Sequence, residues 1–129
     1  VAMTGEEKTI CTMLMGLRVL RYLGAKTVFL LGVDFWMDPT ADACGNYSFG
    51  EERNLSEITN NNRQYGIVND WLCRMQQAGV FKRFGLEVYN CYQRSGLRAF
   101  AYVPFRDAFE FATDRIDQDP DLKLWYDKN

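Results

Sequence analysis

The sequence predicts an α/β fold of Rossmann-like character, a small and mostly parallel sheet flanked by helices. Three observations carry that expectation. Apolar residues recur with helical spacing over residues 9–23 and stop at Gly24. A nearly unbroken apolar run, TVFLLGV, follows over residues 27–33, as in a parallel strand buried on both faces. Residues 34–50 then carry Pro39, Gly45, Asn46 and Gly50 among small polar residues, a loop leaving the carboxyl end of that strand.

The first helix has one apolar face through Ile10, Met13, Leu14, Leu17 and Leu20, and a second through Cys11, Met15, Val19 and Tyr22. It is therefore expected to be buried on two sides. The strand after it is expected to be interior, with neighbours on both edges. A short helical piece over residues 51–58 and a turn at Asn60, Asn61 and Asn62 lead to a second helix over residues 63–78. Its stripe is Val68, Trp71, Leu72 and Met75, and Gly79 is its stop. Residues 86–91 read as a second strand, ending in a loop at Tyr92, Gln93, Arg94, Ser95 and Gly96, and residues 99–103 as a short third. Pro104 opens a helix whose apolar face is Phe105, Ala108, Phe109, Ala112 and Ile116, ending by Asp119 because Pro120 follows. Leu122, Leu124, Trp125 and Tyr126 form an apolar tail.

At 129 residues the chain reads as a single α/β domain spanning residues 1–129. Its first residue is Val1 rather than Met, and two secure strands make a thin sheet, so the domain is expected to be incomplete, the back half of a longer one. The net charge of −2 and the dispersed Lys and Arg argue against nucleic-acid binding. No apolar run reaches the roughly 18 residues a membrane span needs. The four cysteines are far apart and the chain has no histidine, so no metal site is expected. Cys11, Cys73 and Cys91 lie in apolar segments and read as free, buried thiols of a soluble cytoplasmic protein.

The absence of histidine also closes the Ser–His–Asp and Cys–His routes to a nucleophile or general base. Five residues are candidates for a nucleotide site. Cys11 and Thr12 open the first helix, where backbone N–H groups attract anions. Asp34 follows the apolar strand directly, and reads either as a polar anchor at the floor of a cleft or as a carboxylate tying down the loop's own N–H groups. Trp36 and Tyr47 are placed to stack on a base or to pack the loop. Arg94 and Ser95, after the second strand, are a weaker anion-binding pair. Gly5, Glu6, Glu7, Lys8 and Thr9 lack the second glycine and the preceding strand of a phosphate loop. No cofactor is implied.

The segments LGAKTVFLLGVDFW, NYSFGEERN and LEVYNCYQRSGLRAF resemble the carboxyl-terminal part of the glycosyltransferase family 42 sialyltransferase domain, and are similar to the MptE-like domain of phage and archaeal proteins. The resemblance covers residues 9–103 in the same order of elements. It implies a site for the CMP part of a nucleotide sugar, with Cys11, Thr12 and Met13 at the helix-start motif and Trp36 and Tyr47 at two loop tyrosines. The chain departs from the family at three points. Cys-Thr-Met stands where the family has Thr-Ser-Gly, Trp36 has no phenolic hydroxyl, and Asn60, Asn61, Asn62 and Arg63 occupy the stretch where the family's catalytic histidine falls.

Two functions follow as expectations. One is a nucleotide or nucleotide-sugar site of glycosyltransferase type that lacks the family's histidine. The other is a non-catalytic interaction or structural protein of viral origin. In either case the two-faced first helix and the aromatic tail predict a homo-oligomer, a homodimer by the commonest symmetry.

Overall fold

The computed structural model describes residues 11–40 and 55–114, which form an α/β unit. In chain order the elements are α1 (Thr12–Tyr22), β1 (Thr27–Leu30), α2 (Leu55–Gln77), α3 (Val80–Arg83), β2 (Glu87–Asn90), β3 (Ala101–Tyr102) and α4 (Phe105–Thr113). The strands make one sheet in the order β1-β2-β3, and both pairings are parallel, with Val28 opposite Val88 and Tyr89 opposite Ala101. The Rossmann-like fold class is thus the one the sequence predicts. No described helix is long and apolar enough to cross a membrane.

Each long strand is fed by the same helix-stopping device. At the end of α1, Gly24 (φ 93°) donates to the Arg21 carbonyl at 3.0 Å and Ala25 to the Leu20 carbonyl at 3.0 Å. At the end of α3, Gly85 (φ 66°) donates to Lys82 at 2.9 Å and Leu86 to Phe81 at 3.0 Å. This pair of bonds around a left-handed glycine satisfies the last helical carbonyls and turns the chain into the sheet. Arg21 ties the two corners together, its Nε donating to the Phe84 carbonyl at 3.1 Å with the guanidinium 4.7 Å from the Phe84 ring centre.

Alternation in the strands then builds the core. Val28 and Leu30 of β1 and Val88 and Asn90 of β2 turn to one face and are buried. They join Leu14 and Leu17 of α1, Val68 and Leu72 of α2, and Phe81, Leu86, Leu97 and Phe100. On the other face Phe29 stacks on Tyr89 (5.6 Å between ring centres) and meets the edge of Phe111 from α4 (5.6 Å).

Four expectations are corrected. Strand β1 is parallel but, among the described residues, lies at the sheet edge, and β2 is interior. An apolar run reports cover on both faces, here core helices and the Phe111 ring, and says nothing of neighbours on both edges. The run also stops short of Val33, because Gly32 (φ 65°) turns the chain and leaves Leu31 exposed. Second, residues 55–77 are one helix of 23 residues, with no break at Asn60 to Asn62. Third, α1 buries only one face, since Met15, Val19 and Tyr22 are exposed. Fourth, α4 opens after Pro104 as expected, but Phe105 and Phe109 of its predicted apolar face are exposed while Ala108 is buried. Periodicity says which residues share a face, not which face meets the sheet. Ile116, the helix stop at Asp119 and the apolar tail lie outside the described residues.

Candidate functional site

In an open parallel sheet the crevice beyond the carboxyl ends of the strands is where ligands bind. Here that end is built from the turn after β1, residues 31–38, and the turn after β2, residues 91–98. A few short contacts hold them as one piece. Ser95 Oγ lies 2.6 Å from the Val33 carbonyl and 3.1 Å from the Asp34 carbonyl, and it accepts from the Leu97 amide at 3.0 Å. The Gly96 amide donates to the Asp34 carbonyl at 2.7 Å. The backbones approach so closely that a Cβ on Gly96 would sit 2.5 Å from the Phe35 carbonyl oxygen.

The clasp fixes an uncommon backbone. Phe35 has φ 50°, a left-handed conformation that bulky residues rarely adopt, and its ring packs on Tyr65 of α2 at 5.1 Å. The turn leaves the side chains of Asp34 and Trp36 on either side exposed, Trp36 by 56%. Asp34 joins the clasp through its carbonyl, and the carboxylate that ties down loop groups is Asp38, whose Oδ1 accepts from the Thr40 amide (2.8 Å) and hydroxyl (2.7 Å). Exposed indole and carboxylate groups on a fixed turn suit a partly aromatic, hydrogen-bonding ligand.

Helix α2 holds the far end of this turn. Asn62 Oδ1 accepts from the Met37 amide at 2.8 Å, and its Nδ2 donates to the Met37 carbonyl at 2.8 Å. Asn61 Nδ2 lies 3.5 Å from Met37 Sδ. Asn is a poor helix former because its amide competes for backbone partners. Here those partners belong to Met37, so the helix runs on unbroken. Asn69 does the same for the second turn, its Oδ1 accepting from the Arg98 amide at 2.7 Å. Asn90, 2% exposed, closes the floor, with Oδ1 accepting from the Tyr92 amide (3.1 Å) and Nδ2 donating to the Leu97 carbonyl (3.4 Å).

Of the residues singled out in the sequence, Asp34, Trp36, Arg94 and Ser95 are brought together at this clasp. Arg94 is exposed, and with the Ser95 hydroxyl engaged by backbone, the charges at the second turn are those of Arg94 and Arg98, both exposed. Cys11 and Thr12 begin α1, which reverses through the Gly24 turn into β1 and so starts towards the carboxyl end of the sheet. Cys11 is half-buried and its side chain makes no cap hydrogen bond, the Leu14 and Met15 amides donating to its carbonyl instead. Tyr47 lies outside the described residues. The sequence marks Gly96 and Asn62 only as loop and turn residues and does not single out Asn90. The Ser-Gly pair after a strand is the one signal that points to the first of them.

The described cysteines Cys11, Cys73 and Cys91 are free thiols. Cys91 begins the second turn, and burial pushes its thiol above the ordinary value, which keeps it protonated and weakly nucleophilic at neutral pH.

Fold and clasp together define a small parallel α/β unit with a braced carboxyl edge. Compared with known proteins, the chain matches no family model, no curated protein and no solved structure.

Proposed function

We propose that this chain is a Rossmann-like binding module for a nucleotide or nucleotide sugar, seated at the carboxyl edge of the sheet and without histidine-based sialyl transfer. The observation that supports this reading most is the clasp itself. It holds Phe35 in a strained turn and thereby sets an exposed carboxylate, Asp34, and an exposed indole, Trp36, beside the Arg94 turn. An indole offers a stacking face to a base, a carboxylate accepts from base amino or ribose hydroxyl groups, and an arginine pairs with phosphate. In the stretch where the resembled family carries its histidine, the Asn62 amide is fully spent on Met37, so no general base stands there. The glycosyltransferase resemblance, and the places of Cys11, Thr12 and Tyr47 at the site, belong to this proposal.

Calorimetry with a panel of nucleoside monophosphates and nucleotide sugars tests it. A member of the panel is expected to bind, with affinity lowered about tenfold or more by Trp36→Ala and by Arg94→Ala, each removing roughly 1.4 kcal/mol or more. CMP and CMP-sialate are expected to bind weakly, in the millimolar range, because the helix-start motif differs. Silence across the panel would refute the module, and micromolar binding of CMP-sialate would restore the transferase reading.

The second reading, a non-catalytic interaction protein, draws on exposed aromatic surface at Tyr102, Phe105 and Phe109. A homo-oligomer is part of the proposal under either reading, since the outer flank of α1 is apolar and exposed.

A further inference from the structure

The end of the sheet away from the clasp carries a different chemistry. Residues 11–33 hold no carboxylate, and residues 71–90 hold one, Glu87. The fold sets the cations of these two segments side by side. The corner that leads α1 into β1 bears Arg21 and Lys26, and the corner that leads α3 into β2 bears Lys82 and Arg83. The corners are joined by the Arg21 contacts to Phe84 and by the Glu87 amide, which donates to the Lys26 carbonyl at 2.8 Å. All four cationic side chains are exposed, and among the described residues none is ion-paired. Glu87 shares its sheet face with Tyr89, whose hydroxyl donates to its Oε2 at 3.3 Å, and that is the face away from α1. Lys and Arg that read as dispersed along the chain are thus gathered at one end of a protein whose net charge is −2. Gathered like charges favour an anionic partner.

Among these cations lies an apolar tip. Tyr22, the last residue of α1, and Leu23, its cap, are 90% and 72% exposed, and neither packs on the core. An exposed tyrosine and leucine flanked by Lys and Arg match the boundary of a bilayer, where apolar side chains enter the headgroup layer and cations meet anionic headgroups. A nucleic-acid strand calls instead for stacking faces along a basic groove, and Leu23 offers none.

We propose that this amino-edge corner docks on an anionic bilayer, with Tyr22 and Leu23 in the headgroup layer and Arg21, Lys26, Lys82 and Arg83 over acidic lipid headgroups. At about fivefold per cation near such a surface, four cations raise binding by several hundredfold over a neutral one. The apolar tip supplies the second signal that peripheral anchoring needs. The surface is independent of the nucleotide site. Because β1 and β2 are parallel, docking at their starts leaves the clasp facing away from the bilayer.

Flotation of the full chain with vesicles tests the surface. Phosphatidylcholine alone is compared with phosphatidylcholine carrying about 30% phosphatidylserine, in about 0.1 M salt. The chain is expected to float with the anionic vesicles only, and to be released at about 0.5 M salt. Lys26→Gln combined with Lys82→Gln removes two charges and is expected to lower partitioning about 25-fold. Leu23→Gln keeps every charge and is expected to lower it about tenfold, a loss that attraction between charges alone would not produce. Both variants are expected to keep the parental circular dichroism spectrum, and the salt response of the unaltered chain tests the charges without any substitution. Binding to neither vesicle, equal binding to both, or anionic binding that survives either variant overturns the proposal. A chain that ignores vesicles and binds a single-stranded oligonucleotide through Lys26 and Lys82 overturns it as well, and makes the corner a nucleic-acid surface.

Discussion

Replacing Gly96 with alanine is expected to cost about 2–4 kcal/mol and to lower the melting temperature by roughly 10 °C, among the largest effects of a single methyl group in this chain. The added Cβ would meet the Phe35 carbonyl oxygen at 2.5 Å and the carbonyl carbon at 3.2 Å. Both are backbone atoms of a turn already held at positive φ, so neither can swing aside as a side-chain tip would. The bonds from the Gly96 amide and Ser95 hydroxyl to Asp34 must stretch when the turns part. Gly66 supplies the control. It lies within α2 with nothing within 4 Å of an added Cβ, and Gly66→Ala is expected to raise stability by about 0.5–1 kcal/mol. Thermal unfolding of the two variants side by side separates a steric requirement from a general response to losing glycine. A Gly96→Ala protein as stable as its parent would mean that the turns are not in contact.

The second large effect is expected at Asn62. Asn62→Ala removes both hydrogen bonds to the Met37 backbone, each 2.8 Å long and part-buried, at a cost of about 2–3 kcal/mol. Met37 is 4% exposed, so its backbone has little access to water in exchange. Asn62→Asp refines the reading, because it keeps the acceptor for the Met37 amide and sets a carboxylate against the Met37 carbonyl. That contact favours the protonated acid, whose O–H donates to the carbonyl, so the carboxyl pKa rises in the folded variant. Its stability is then greatest below the unfolded value of about 4 and falls as pH rises through the folded one. Denaturant unfolding at pH 4 and pH 7 checks the sign. An Asp variant equally stable at both would show that the Nδ2 donor contributes nothing.

These two residues mark where the sequence could be read and where it could not. Gly24 and Gly79 are legible as helix stops because a local rule, left-handed geometry after the last turn, governs them. The strands are legible because alternation and apolar runs are local as well, and with them the position of Asp34 and Trp36 at a strand's carboxyl end. Asn60 to Asn62 reads as a turn under the same local rules, and fails as one because the amides find partners about 25 residues away. The edge position of β1 and the exposed side of α4 fail for a related cause. Which strand lies beside which, and which helix face meets the sheet, are decided by long-range packing that leaves no period in the sequence. Within the candidate site, the exposed side chains of Asp34, Trp36 and Arg94 are legible as chemistry. Gly96, Asn62 and Asn90, which place them, are not, since they act through the backbone of other segments.

The braced carboxyl edge as the ligand seat is tested most directly by amide chemical-shift mapping while the nucleotide panel is titrated into the full chain. The shifts are expected to gather in residues 31–38 and 91–98 and at the start of α1, with the Trp36 indole N–H among the largest. A binding nucleotide whose shifts fall on the exposed aromatic face of α4, or anywhere that spares both turns, would contradict the assignment of this edge.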